Sequence, residues 1–140
     1  MNENDIEYLT KAINNESNES LLHLTFDKIS KKKNIILHEL ELPKKKLSEL
    51  ESKLEDYRYV DEIPELHIGN YIRWINLSNP ENLVLTNGAI LSEVKIEENI
   101  ILVLKNVVSK KFFQINMEEN LLFQKLSDQE KVILYALEHL

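Results

Sequence analysis

From residue 22 to residue 57, apolar side chains recur in alternating steps of four and three. The positions are Leu22, Phe26, Ile29, Ile36, Leu40, Leu47, Leu50, Leu54 and Tyr57, with Lys33 and Pro43 in the two remaining places. A period of about 3.5 residues belongs to a coiled-coil seam and not to a strand. A narrow apolar stripe on a long helix is unstable alone in water, so it predicts a covering helix from the same chain or from a second copy. Pro43 lacks an amide donor and disfavours helix at the residue before it. Two collinear or kinked segments follow, about 20–41 and 43–57, with Ser20 as N-cap of the first; a helical hairpin folding at Pro43 is the alternative.

The charges beside the seam sharpen this. Glu39 and Lys46 fall at g positions, Lys44 and Glu51 at e positions, so a parallel pair brings Glu39 against Lys44 and Lys46 against Glu51. Such pairs contribute only ~0.2–1 kcal/mol each, enough to choose orientation rather than to hold an assembly together. The expectation is a parallel homodimer or higher oligomer, with Lys33 loosening the packing and helping to set register. Ahead of the seam, Ile6, Leu9 and Ile13 share helical spacing, and a polar loop follows at residues 14–18.

Past Tyr57 the period shortens to two. Tyr71-Ile72-Arg73-Trp74-Ile75-Asn76-Leu77 is aromatic and β-branched, as a strand requires. Leu83-Val84-Leu85-Thr86, Asn87-Gly88 and Ala89-Ile90-Leu91 match a hairpin with a two-residue type I′ turn. Residues 100–104, 111–116 and 121–125 complete the series. Ser127 and Glu130 form a capping box for a last helix over 128–140. The fold class expected is α+β: a helical, coiled-coil-forming arm over 1–58, then a small antiparallel β-barrel or curled sheet over 59–140 with a C-terminal helix.

Composition narrows the function classes. A net charge of −7 argues against nonspecific nucleic-acid binding as the main task, since phosphates call for a positive surface. The chain has no cysteine, which excludes disulfides, thiolate metal sites and cysteine nucleophiles. No apolar run approaches the ~20 residues that span a bilayer, and the first residues lack the pattern of a secretory signal. An intracellular protein without a membrane partner is expected. His23, His38, His67 and His139 stand in no ligand spacing, and two isolated glycines build no phosphate loop. The sequence therefore predicts no catalytic residue, no metal and no cofactor.

Basic residues gather at 31–33, 44–46 and 110–111. On the β side, Tyr71, Arg73 and Trp74 with Lys110 and Lys111 could form a stacking and charge platform for a partner or for nucleic acid. Against it, alternation along a strand sends Tyr71 and Arg73 to one face and Ile72 and Trp74 to the other, where they serve as core. The role expected is a noncatalytic assembly component: the arm self-associates and the β domain binds a protein partner. The alternative is a nucleic-acid-binding accessory factor using the aromatic and basic residues.

The stretch from Tyr59 to Ile75, with Gly69-Asn70-Tyr71-Ile72-Arg73 near its end, resembles a segment of small proteins of large nucleocytoplasmic DNA viruses. There a comparable strand opens a compact β module. The resemblance implies a virion-associated or replication-associated factor and transfers no catalytic residue.

Overall fold

The computed structural model describes residues 24–139, and Leu22, Ser20 and the early apolar trio lie outside them. The chain is α+β. Helix α1 (Phe26–His38) and helix α2 (Lys44–Lys53) precede strand β1 (Tyr57–Val60). Strands β2 (Tyr71–Asn76), β3 (Ala89–Ile96), β4 (Ile100–Lys105), β5 (Phe112–Asn116) and β6 (Asn120–Lys125) follow, and helix α3 (Asp128–His139) comes last. Two compact units result. Among the described residues one comprises 24–42 with 126–139, the other 43–125. The domain boundary expected between 58 and 59 falls inside β1 instead.

In the helical unit, Thr25 is extended and caps α1, its Oγ1 accepting from the Lys28 amide at 3.1 Å. The first helix therefore starts at Phe26 and does not run back through Thr25. It stops at His38, where the chain turns and Glu41 adopts a left-handed φ of 52°. Ile29 is buried against Leu126, Ile133, Leu134 and Ala136, and Phe26 packs beside it. The Phe26 amide donates to Glu138 Oε1 at 2.7 Å, fixing the start of α1 near the end of α3. Helix α3 begins as its sequence predicts: Ser127 N donates to Glu130 Oε1 at 3.0 Å, and Glu130 N donates to Ser127 Oγ at 3.1 Å.

In the other unit, Pro43 precedes α2 in an extended conformation and accepts from the Leu47 amide through its carbonyl. The second helix ends at Lys53 rather than continuing to 57. Tyr57, read as the last seam residue, opens β1. All six strands pair antiparallel in the order β1-β6-β2-β3-β4-β5, so β1 and β5 are edges and the sheet is not closed. A closed barrel is thereby corrected to the curled sheet. The curl is strong: the rings of Trp74 on β2 and Phe113 on β5 lie 5.7 Å apart although two strands separate them in the sheet. The inner face carries Val60, Ile72, Trp74, Ala89, Leu91, Leu102, Leu104 and Leu122 around Met117.

The expected hairpin at Asn87-Gly88 is a bulge. Leu85 bridges Ile75 and Ala89 pairs with Ile72, so both sides of the Asn-Gly step run along the same neighbour, β2. A type I′ turn needs positive φ at both central residues, and among the described residues only Glu41, Lys110, Gly69 and Gly88 have it. Gly88 is required for packing. A Cβ there would sit 2.6 Å from the Ile72 carbonyl oxygen and 2.5 Å from the Tyr71 ring.

Candidate functional site

Strand alternation separates the residues expected to form one binding face. Trp74 points into the core of the curled sheet, while Tyr71 and Arg73 lie on the opposite face. Both are occupied in covering the bulge: Tyr71 Oη donates to the Asn87 carbonyl at 2.7 Å, and Arg73 Nε donates to the Thr86 carbonyl at 2.8 Å. Lys110 and Lys111 sit in the β4–β5 loop, at the Tyr71 end of the sheet but three strands across from β2. No aromatic and basic platform assembles from these five residues.

The seam residues are also distributed differently from a single interface. Phe26 and Ile29 are covered by α3 of the same chain. Leu50, Leu54 and Tyr57 are buried in one copy, and Ile36, Leu40 and Leu47 are half-buried. The apolar ridge ends at Pro43 and Lys53 because left-handed Glu41, Pro43 and the onset of β1 interrupt the helix that would carry it. Among the described residues no continuous helical seam is presented to a second copy.

The concavity of the β unit lies elsewhere, in a cleft of about 630 Å³. Ile63, Pro64, Leu77 and Ile100, the last at the start of β4, give it an accessible apolar lining, alongside Val60, Met117, Leu121 and Leu122, which are buried. Asp61, Glu62 and Glu118 stand at its margin, all three exposed. Its volume falls within the roughly 300–1,000 Å³ of ordinary ligand pockets. The wall formed by residues 61–65 is a short 3-10 turn, Ile63–Glu65, held by its own carboxylate: Glu65 Oε1 accepts from the amides of Asp61 and Glu62 at 3.2 and 3.1 Å. The far wall is a second such turn, Met117–Glu119, started by Asn116 Oδ1, which accepts from Glu118 N at 3.0 Å.

Buried polar groups fasten the first wall to the sheet. Arg58, 1% exposed, donates through Nη2 to the Glu65 carbonyl at 3.2 Å. Gln124 Nε2 donates to the same oxygen at 2.9 Å, and its Oε1 accepts from His67 N at 2.8 Å. Sequence reading missed this cleft because it needs β1 and β6, distant in the chain, to lie side by side. The available signal was Tyr57-Arg58-Tyr59-Val60 itself, a strand-like tetrad that the heptad phase obscured.

Among the described residues no group of three or more His, Asp or Glu side chains could hold a metal ion. Nor is any described helix long and apolar enough to cross a membrane. Comparison with protein-family models, with characterised proteins and with solved structures gives no match. Residues 59–75 run from the end of β1 through the Ile63–Glu65 turn and along β2, which Tyr71 opens.

Proposed function

We propose that residues 43–125 form a protein-interaction module that holds an apolar segment of a partner, flanked by basic residues, in the Val60–Met117 cleft. The observation that carries this reading is the cleft's combination of aliphatic lining and acidic margin on two braced walls. A preformed site loses little freedom on binding, and carboxylates at the margin select cationic flanks. Self-association through the helical arm is not part of the proposal, because α3 already covers Phe26 and Ile29.

The test is selection of peptides from a random displayed library on the full chain, followed by amide shift mapping. Enriched peptides pair an aliphatic residue with Lys or Arg and shift amides at 60–64 and 117–122. Glu118→Lys weakens them about tenfold or more. No enrichment, or shifts that avoid both walls, refutes the reading. A nucleic-acid role would instead give salt-sensitive retention on DNA or RNA that Arg73→Ala abolishes.

A further inference from the structure

The β4–β5 loop, residues 106–111, displays the most exposed large apolar side chain among the described residues. Val108 is 93% exposed, Val107 50% and Phe112 60%. The same loop is basic, with Lys110 and Lys111 in it, Lys105 beside it at the end of β4, and no acidic residue between Glu98 and Glu118, in a chain of net charge −7. An exposed apolar point ringed by one sign of charge is a surface that awaits a complement.

The loop is fixed in one shape. Asn106 Oδ1 accepts from the amides of Val108 and Ser109 at 2.9 and 3.0 Å. Lys110 N donates to the Asn106 carbonyl at 2.8 Å, Asn106 N donates to the Lys111 carbonyl at 2.9 Å, and Ser109 Oγ accepts from Lys111 N at 3.3 Å. Lys110 takes a left-handed φ of 60°, which turns the chain back towards β5. The two valines are therefore presented without further ordering.

We propose that the segment bound by the cleft is this loop from a second copy of the chain. The inference rests on the reading of the cleft as a peptide site and names its occupant. The chemistry matches on both counts: aliphatic Val107 and Val108 meet the accessible Ile63, Pro64, Leu77 and Ile100 of the cleft, and the loop lysines meet Glu62 and Glu118. The geometry matches as well. Strand β4 starts at Ile100, which lines the cleft, and ends at Lys105, which opens the loop. The two surfaces thus lie at opposite ends of one strand, about 17 Å apart at the antiparallel rise. Each copy offers loop and cleft at once, so copies associate head-to-tail, as a ring where the rotation closes and as an open filament where it does not.

Sedimentation velocity on the full chain tests this. The mean mass of the wild type rises over roughly a hundredfold increase in concentration and falls as salt screens the lysine–glutamate contacts. Val107→Ser/Val108→Ser removes the loop's apolar points, and Glu118→Lys reverses a margin charge while leaving the capped Ile63–Glu65 turn intact; both change exposed side chains only. Each variant alone sediments as a monomer. Their equimolar mixture stops at a dimer, because one retains only a working cleft and the other only a working loop. A wild type that stays monomeric overturns the inference, as does association that survives in both variants. Binding of phosphatidylserine vesicles by a monomeric wild type overturns it too, in favour of a lipid surface. If self-association fails while selected peptides still occupy the cleft, only the occupant is wrong; if both fail, the cleft reading falls with it.

Discussion

Arg58 on β1 and Gln124 on β6 are paired in register and converge on one acceptor, the main-chain oxygen of Glu65, at 3.2 and 2.9 Å. Both side chains point to the inner face of the sheet, and both are 1% exposed. With Asn120 further back on β6 they are the buried polar members of a mainly apolar surface, and their shared target is the cleft wall.

Gln124→Leu should destabilise the chain by about 1–3 kcal/mol, because it strands the His67 amide and removes one donor from the Glu65 carbonyl. Urea unfolding measures the loss. Amide exchange should quicken at residues 61–67 before it quickens in β4.

Gly88→Ala should cost about 2–3 kcal/mol, since the new Cβ meets backbone at Ile72 and the φ of 94° is left-handed. Gly69→Ala provides the contrast. Its φ of 93° imposes conformational strain alone, about 1–2 kcal/mol, as no atom lies within 4 Å of the added carbon. Thermal melts of the two variants should separate in that order.

Burial pushes the Tyr57 phenol above its ordinary range; Tyr71 and Asp56 push the same way, and Arg73 opposes them. The raised value means that the folded state holds the proton more tightly than the unfolded chain does. The resulting stability is fully present below pH ~10 and is lost as pH climbs through the folded-state value. Tyr57→Phe should flatten the alkaline limb of a stability–pH curve; an unchanged limb contradicts the assignment.

Ile29→Ala should lower the stability of the helical unit by about 2–4 kcal/mol, because it opens a hole against Leu126, Ile133 and Leu134. Hydrogen exchange in α1 and α3 should rise together. Independent responses of the two helices would count against their mutual packing.

Much of this architecture was legible in the residues. Strands β2, β4, β5 and β6 lie within a residue of the segments marked out by alternation and β-branched content, and the Ser127–Glu130 box places α3. What escaped was non-local. Tyr57 continues a heptad phase, yet Tyr57-Arg58-Tyr59-Val60 finds its ladder in β6, more than sixty residues on. Asn87-Gly88 carries a turn signature, but the step is absorbed as a bulge because both flanking segments pair with β2. Tyr71 and Arg73 look available in sequence because their acceptors, Asn87 and Thr86, come to them only through that bulge. The cleft follows from the same long-range pairings, so its residues carried no local mark.

The hydrogen bond from Phe26 to Glu138 joins residues 112 positions apart. During synthesis, α1 emerges well before the segment that covers Ile29, and β1 likewise waits for β6. Neither unit can finish until residues beyond 120 have left the ribosome, so the nascent chain shows its aliphatic helix face throughout most of translation. Folding should be slower than for a helical bundle of this size, because the α1–α3 and β1–β6 pairings each close a long loop of chain.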